Sequence, residues 1–375
     1  MQITKKSKLA IIITAIVLVV ALAIAIPLGV IMTPLKGSAN TELWDKSMPY
    51  DINNTVVVEK TVGKDFKILN LTDIQFNDTL DIGKRKMTEK TIADLIAKEN
   101  PDLITITGDL VWASINRQSI KDIIKIMESY KIPWAPVFGN HDGDGNSDFN
   151  WFADRLCDEN LQYCLFKRGP SNSGGLGNYI VNIVEAGKIV ESLVLLDSGA
   201  SRSYANVDES QFFYDIVDGK QKQVGHNYDF LKPGQIEWYE WAIKGANAFN
   251  NNGKNVDSTL LFHIALVEFY YAYNEWRDGG FDPLIGFGEK NEDVCCPKIN
   301  SGMYKKVVEL GSTKNIVVGH DHNNNFSVLT KDGVRLSYGL KTGDRCYNKA
   351  HLNGGSVLIV DGNGVRSFAH SNIAE

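Results

Sequence analysis

The sequence predicts an α/β domain built on a sheet with parallel strands. From about residue 66, apolar runs of strand length alternate with segments whose apolar residues recur at helical spacing. Three strand-then-helix units follow one another, which is typical of parallel βαβ connections. Each of these strands is followed by acidic or amide side chains. Because ligands of α/β sheets gather beyond the carboxyl ends of the strands, the pattern also indicates where a site should lie.

The first half of the predicted domain contains three strands with two helices between them. The strands are Phe66 to Leu71, Leu103 to Thr107 and Trp134 to Phe138, and the helices are 88–98 and 119–130. The second half is predicted to complete the domain, with strands at 179–184, 189–196, 259–262 and 315–318, helices at 233–248 and 301–310, and short β-rich segments at 326–338 and 356–370.

Polar residues at the predicted strand ends form one group of candidates for a functional site. Four of the seven histidines of the chain fall in this group. A single histidine at a strand end is more often structural, but five strand ends with imidazole, carboxylate or amide groups favour a metal or catalytic site. The group consists of Asp73, Gln75, Asp109, Asn140, His141, His263, His320 and His322.

The order and spacing of these residues resemble the calcineurin-like metallophosphoesterases, in the branch described as purple-acid-phosphatase-like. The resemblance extends from about residue 65 to 368 and implies a four-layer αββα sandwich of two mixed β-sheets flanked by helices. It rests on DIQ at 73–75, GD at 108–109, GNHD at 139–142, His263 and GHDH at 319–322.

The resemblance implies two divalent metal ions (Mn, Zn or Fe) with a bridging hydroxide as the nucleophile. His141 would stand outside the metal shell as proton donor to the leaving group, with Asp142 holding its ring. The implied metal ligands are Asp73, Gln75 and His322 for metal one, Asn140, His263 and His320 for metal two, and Asp109 as the bridge.

The implied reaction is hydrolysis of a phosphate ester, with a monoester as the favoured substrate. A phosphodiester or a nucleoside diphosphate is the alternative, because D-x-Q also occurs among diphosphatases. A catalytically inactive binding module with the same fold is the alternative from another class. Retention of the proton donor and the metal-side histidines argues against inactivity. The partner would be a phosphorylated small molecule or phosphoprotein, and the net charge of -6 gives no reason to expect nucleic acid.

Two positions depart from the family pattern. Many members have a histidine where this chain has Gln75, and a glutamine ligates only through its amide oxygen. An altered metal preference is expected, and the alternative is that Gln75 only hydrogen-bonds to the ligands. Purple enzymes have an iron-binding tyrosine at the position of Trp112, which cannot ligate. A purple ferric centre is therefore not expected.

The N-terminus predicts a membrane anchor. The apolar run 9–32 is long enough to span a hydrocarbon core of about 30 Å, and more lysines precede it than follow it closely. We therefore expect a type II membrane protein with a cytoplasmic tail at 1–8, a stalk at 33–63 and a lumenal or extracellular catalytic domain at 64–375. The alternative is a cleaved signal peptide and secretion.

Cysteines and glycosylation sequons fit the secretory route. The five cysteines leave at least one thiol without a partner, and their pairing stays open. Sequons at Asn53, Asn77 and Asn325 are predicted glycan acceptors, whereas the sequon at Asn70 lies in a predicted core strand and is discounted.

Overall fold

The computed structural model describes residues 13–14, 16–17, 19–20, 33–77, 82–217 and 219–373. Most of the predicted membrane segment 9–32 lies outside these residues. Within the described part of the chain, no helix is long and apolar enough to cross a membrane.

The described residues form fifteen strands and six α-helices. The strands are β1 (Val56–Glu59), β2 (Phe66–Leu71), β3 (Leu103–Thr107), β4 (Trp134–Val137), β5 (Tyr179–Glu185), β6 (Lys188–Leu195), β7 (Phe213–Val217), β8 (Lys220–Val224), β9 (Ser258–Leu261), β10 (Gly286–Phe287), β11 (Thr313–Val318), β12 (Ser327–Leu329), β13 (Arg335–Tyr338), β14 (Gly354–Asp361) and β15 (Gly364–Asn372). The helices are α1 (Ile82–Glu99), α2 (Asn116–Ser129), α3 (Phe149–Leu156), α4 (Pro233–Asn250), α5 (Val267–Asp278) and α6 (Met303–Leu310).

A five-stranded sheet has the order β15-β14-β2-β3-β4. Strands β2, β3 and β4 are parallel, and β14 runs antiparallel to β2. The three predicted parallel strands are thus confirmed, with bounds that agree to within one residue. Their carboxyl ends lie at one edge of the sheet, where the turns after them meet.

An eight-stranded mixed sheet has the order β1-β5-β6-β9-β11-β13-β12-β10. Its centre is parallel, because β6, β9, β11 and β13 run in the same direction. The β5–β6 pair is antiparallel. Strands β9 and β11 are neighbours, so the residues that follow them also share one edge.

Apolar contacts stack the sheets and helices in layers. One buried cluster joins strands of both sheets with α1, α2 and α3, and includes Leu71, Ile92 and Val181. A second cluster joins the eight-stranded sheet with α4, α5 and α6, and includes Trp238, Leu260 and Phe269. The predicted mixed α/β class is confirmed.

The prediction of a stalk at 33–63 is wrong, because these residues are part of the domain. Leu35 forms a β-bridge with Ser147, and the ring centroid of Trp44 lies 5.9 Å from that of Trp241. Strand β1 pairs with β5 at the edge of the large sheet. Three consecutive valines give β1 its strand propensity, a short run that sequence reasoning overlooked beside the Pro and Gly residues preceding it.

The described cysteines are all free thiols. The predicted glycan at Asn77 does not fit this structure, because the side chain is buried and its Nδ2 donates to the Trp112 carbonyl at 2.8 Å. Asn53 is exposed and Asn325 half-buried, so these two acceptors stay predictions.

Candidate metal centre

Five turns bring the predicted site residues to one place between the two sheets, and a sixth turn lies beside them. The turns after β2, β3 and β4 supply the oxygen donors of the five-stranded sheet. The turns after β9 and β11 supply imidazoles from the other sheet. The edges are joined directly, since the His320 backbone N–H donates to Asp73 Oδ2 at 2.9 Å and His263 Nδ1 lies 2.8 Å from the Thr107 carbonyl. The sixth turn, after β13, contributes Lys341, which the sequence did not predict.

The donor atoms form two overlapping groups around Asp109. In the first group, ligand atoms of Asp73, Asp109 and His322 lie within 4.8 Å of one another. In the second, His263 Nε2 lies 3.4 Å from Asp109 Oδ1 and 3.1 Å from Asn140 Oδ1. The ring of His320 lies beside that of His263, with a centroid distance of 5.1 Å. The structure thus brings the predicted ligand residues together.

Strained backbone at the site holds these groups in place. Asp73, Gln75, Asp109 and His320 have positive φ values of 49°, 46°, 52° and 76°. Each non-glycine residue in this left-handed region costs of the order of 1–3 kcal/mol, and such residues cluster where function over-determines the conformation. The strain indicates that the turns are shaped by the site and not by local propensity.

Two glycines permit the close approach of the turns. A Cβ atom on Gly139 would lie 2.2 Å from Asp109 Oδ1, and one on Gly319 would lie 1.9 Å from Thr72 Oγ1. Neither contact is possible for a real side chain. The glycines of GNHD and GHDH are therefore required by the packing of one turn against another.

Backbone carbonyls orient two of the imidazoles. The Nδ1 atoms of His263 and His322 lie 2.8 Å from the Thr107 carbonyl and 3.0 Å from the Tyr347 carbonyl. These contacts require N–H at Nδ1, so Nε2 of each ring faces the centre as the potential ligand atom. The Tyr347 ring also stacks on His322, and the Tyr228 ring packs edge-on against His320.

Electrostatics at the site favour a cation. Burial opposes ionisation of Asp73, but the hydrogen bond with His322 and the charge of His263 hold the pKa of that carboxyl far below its usual range. Burial lowers the pKa of the His263 imidazole, but the Asp109 carboxylate outweighs it and raises the pKa to about 10. Two buried carboxylates therefore stay ionised and need positive charge beside them.

Two buried atoms at the site fit a metal ion. His320 Nε2 has no hydrogen-bond partner among the residues that the structure describes, and Asp73 Oδ1 has only His322 Nε2 beside it, at 3.3 Å. Buried polar atoms without partners are rare in native proteins and call for an explanation. Carboxylate oxygen and imidazole nitrogen are the donors that Mn, Zn and Fe accept. The residues present thus fit a bound divalent ion.

Gln75 lies in the cluster, but with its amide nitrogen towards the other ligands. Its Nε2 is 3.2 Å from both Asp109 Oδ2 and His322 Nε2. Its Oε1 accepts a hydrogen bond from Lys341 Nζ at 3.0 Å. The ligand role expected for Gln75 requires the opposite orientation, with the oxygen facing the centre. Lys341 is the physical reason for the difference, and burial lowers the pKa of its ammonium group.

His141 stands at the edge of the site, as expected, but a different carboxylate holds its ring. Its backbone N–H donates to Asp109 Oδ1 at 2.8 Å, and its Nδ1 lies 2.5 Å from Asp144 Oδ2. The expectation that Asp142 supports the ring is wrong. The Asp142 carboxylate is buried and accepts the backbone N–H groups of Val111 and Gly139 at 2.9 and 2.8 Å.

The turn after β4 explains this exchange of roles. The Asp144 N–H donates to the His141 carbonyl at 3.1 Å, so the two side chains three positions apart lie on the same side of a turn. The spacing His-x-x-Asp was a signal that could have identified Asp144. Burial and the neighbouring Asp109 carboxylate raise the pKa of Asp142.

Trp112 forms a wall beside His141. The two ring centroids are 5.3 Å apart, and the Arg345 guanidinium lies 5.7 Å from the Trp112 ring centroid. The residue that replaces the tyrosine ligand of purple enzymes therefore packs on the predicted proton donor.

Fold and site together define an α/β protein with a candidate metal centre between two sheets. A model of the calcineurin-like phosphoesterase family matches residues 66–324. The chain belongs to this family, which confirms the resemblance found in the sequence.

Named relatives and a solved structure extend this result. "Probable inactive purple acid phosphatase 28" of Arabidopsis thaliana is 27% identical over 312 residues, covering 76% of this chain and 72% of the relative. "Phosphatase DCR2" of Saccharomyces cerevisiae is 28% identical over 320 residues, covering 78% of this chain but 50% of the relative. A dimetal phosphatase from Danio rerio superposes with a TM-score of 0.50 at 12% identity, covering 81% of this chain and 98% of that one. This last likeness shows the fold alone.

Proposed function

We propose that this protein is a metal-dependent phosphatase that hydrolyses phosphate monoesters at the centre around Asp109. The observation that carries the proposal is the pair of donor groups that share the Asp109 carboxylate, with the buried Nε2 atom of His320 left without a partner among the described residues. Family membership supports hydrolysis of phosphate esters, and a relative named as a phosphatase supports activity.

The side chains divide the work of the reaction. Divalent ions at such a centre polarise phosphoryl oxygens and supply a nucleophile near neutral pH. Asp109 has one carboxylate oxygen towards each donor group, so it fixes the position of one group relative to the other. The remaining ligands proposed are Asp73 and His322 for one half, and Asn140, His263 and His320 for the other.

In this proposal, His141 donates a proton to the leaving group. Its side chain is 34% exposed, whereas the metal-side histidines are buried. Asp144 holds Nδ1, so Nε2 is the atom free to give a proton to the departing alkoxide. Trp112 limits the positions that the ring can adopt. Substrate therefore approaches from the side of Trp112 and His141.

A second candidate is a binding module that has the fold without catalysis. Its support is that three relatives from Arabidopsis thaliana are named "probable inactive" purple acid phosphatases. The retained proton donor and donor groups favour the enzyme.

The test is a metal-resolved assay on the full-length chain. Protein loaded separately with Mn, Zn or Fe is expected to hydrolyse a monoester faster than a diester. His141→Ala should lower kcat about 10²- to 10⁴-fold with a poor leaving group, because general acid catalysis is lost. With an activated leaving group such as p-nitrophenolate, the loss should be smaller.

Absence of turnover with every metal would contradict the enzyme and favour the binding module. Faster hydrolysis of the diester would instead support the alternative substrate class. Unchanged kcat in His141→Ala with both leaving groups would remove this residue from the mechanism.

A further inference from the structure

We infer that Lys341 keeps Gln75 out of the ligand set, so that the centre binds one divalent ion tightly and a second at least tenfold more weakly. Position two is the half formed by Asp109, Asn140, His263 and His320, and it holds the tight ion. Position one is the half formed by Asp73, Asp109 and His322. The inference rests on the proposed function only in taking these residues as metal ligands.

The nitrogen and the oxygen of the Gln75 side-chain amide contact different neighbours. Its Nε2 lies 3.2 Å from Asp109 Oδ2 and 3.2 Å from His322 Nε2, which is the place where a fourth donor of position one would lie. Its Oε1 points the other way and accepts from Lys341 Nζ at 3.0 Å. An amide nitrogen has no lone pair to offer a metal ion, so Gln75 in this orientation is not a ligand.

Lys341 selects this orientation because it can only serve as a donor here. Nζ also donates to the Asp73 carbonyl at 2.9 Å, and the residue is 2% exposed, so the amine is fixed from two sides. Turning the Gln75 amide over would set its N–H groups against the Lys341 N–H groups and leave a buried donor unsatisfied. A metal ion at position one would have to displace this hydrogen bond to obtain the Gln75 oxygen.

The two positions are therefore unequal. Position two combines two imidazoles with carboxylate and amide oxygens, and Nε2 of His320 is buried without a partner in the described structure. Position one is left with two carboxylates and one imidazole. In addition, Lys341 places a fixed amine 3.0 Å from Gln75 Oε1, where its positive charge opposes a second cation. Lys341 supplies at position one part of the charge that an ion would supply.

The experiment is a titration of full-length, metal-free protein with Mn²⁺, followed by calorimetry and by electron paramagnetic resonance. An isolated Mn²⁺ gives a six-line spectrum, whereas two neighbouring ions give a coupled spectrum. The wild type is expected to bind one equivalent with a six-line spectrum before a weaker, coupled class fills. His320→Ala should remove the tight class, which assigns it to position two.

Two further variants test the cause. Lys341→Met keeps the side-chain volume and removes the donor, so it should raise the affinity of the weak class about tenfold or more. Gln75→Ala should leave the weak class of the wild type unchanged within about threefold. In Lys341→Met with Gln75→Ala, most of the gain should disappear, because no amide oxygen is left to release and only the effect of the removed charge remains.

Two equally tight ions in the wild type would overturn the inference, and this measurement does not depend on the folding of any variant. An equal gain in affinity of the weak class in the double variant would also overturn the inference. Loss of the Lys341 charge, and not release of the Gln75 oxygen, would then account for the gain. Failure of the proposed function is distinguishable from failure of this inference. Unequal Mn²⁺ classes without phosphatase turnover would contradict only the proposed function. Phosphatase turnover with two equal Mn²⁺ classes would contradict only the inference.

Discussion

At the residue scale, Asp142 and Asp144 are two carboxylates of one turn with separate tasks. Asp144 contacts the His141 ring, while Asp142 accepts two buried backbone N–H groups. We expect Asp144→Ala to lower kcat for poor leaving groups about tenfold or more with little change in stability. Asp142→Ala should instead lower the free energy of unfolding by about 1–3 kcal/mol for each amide left unsatisfied.

These two variants are matched controls for each other. Steady-state kinetics and urea unfolding of both proteins separate catalysis from folding. A loss of kcat without a loss of stability in Asp142→Ala would return the ring-holding role to Asp142.

Gly139 offers a second test at this scale. Its added Cβ would collide with Asp109 Oδ1 at 2.2 Å, so Gly139→Ala is expected to displace the shared carboxylate and weaken binding of the first Mn²⁺ at least tenfold. Gly362→Ala is the control, because a Cβ there meets only the end of the Glu185 side chain at 3.3 Å. Calorimetry with Mn²⁺ measures both. Equal Mn²⁺ affinity in the two variants would show that the turn at Gly139 can shift to accommodate the added methyl group.

At the element scale, Glu191 in β6 joins the two sheets. Its Oε1 accepts from Thr259 Oγ1 in β9 at 2.8 Å, and its Oε2 accepts from the Val365 N–H in β15 at 3.1 Å. Burial raises the pKa of this carboxyl from 4.5 to about 8, and the nearby Asp257 carboxylate adds to the rise, against the hydrogen bond from Thr259. The folded protein therefore keeps a proton that the unfolded chain has lost.

The sign of the resulting pH dependence follows from linkage. Between about pH 4.5 and 8 the folded state binds more protons at Glu191 than the unfolded state, so this group makes stability fall as pH rises. The slope is about 1.4 kcal/mol per pH unit, and it vanishes above the folded pKa. Glu191→Gln should lack this slope and gain stability relative to wild type by a few kcal/mol at pH 8. Parallel slopes in urea unfolding of both proteins would contradict the prediction.

Elements were predictable from sequence where the cause is local. Strand β2 and strand β3 follow from short apolar runs, and the polar residues after them follow from where strands end. The pairing of Gln75 with Lys341, 266 positions apart, has no local cause, because nothing about a lysine in a turn predicts its burial. The prediction of a stalk at 33–63 was wrong for a related reason, because β1 is stabilised by pairing with β5, which is distant in the sequence.

At the scale of the whole molecule, we propose that residues 9–32 anchor the chain in a membrane, with residues 1–8 in the cytosol and the domain outside. The run is apolar and long enough to span, and lysines precede it. The protein should therefore stay in the membrane pellet after carbonate extraction. Val20→Arg with Leu22→Arg should release it, because each central charge costs about 2.5–3.5 kcal/mol. A soluble wild-type chain that lacks the apolar run would support the secreted alternative.

The centre also links the two sheets, since Asp73, Asp109 and Asn140 follow strands of one sheet while His263 and His320 follow strands of the other. A bound ion therefore acts as a cross-link that only the folded state can form. At a free Mn²⁺ concentration about 100 times Kd, binding should add about 2.7 kcal/mol to the free energy of unfolding, and chelation should remove it. Thermal unfolding with and without chelator measures the effect, with His320→Ala as the control that should hardly respond. A wild-type midpoint that does not change with Mn²⁺ would mean that the ion is not held between the sheets.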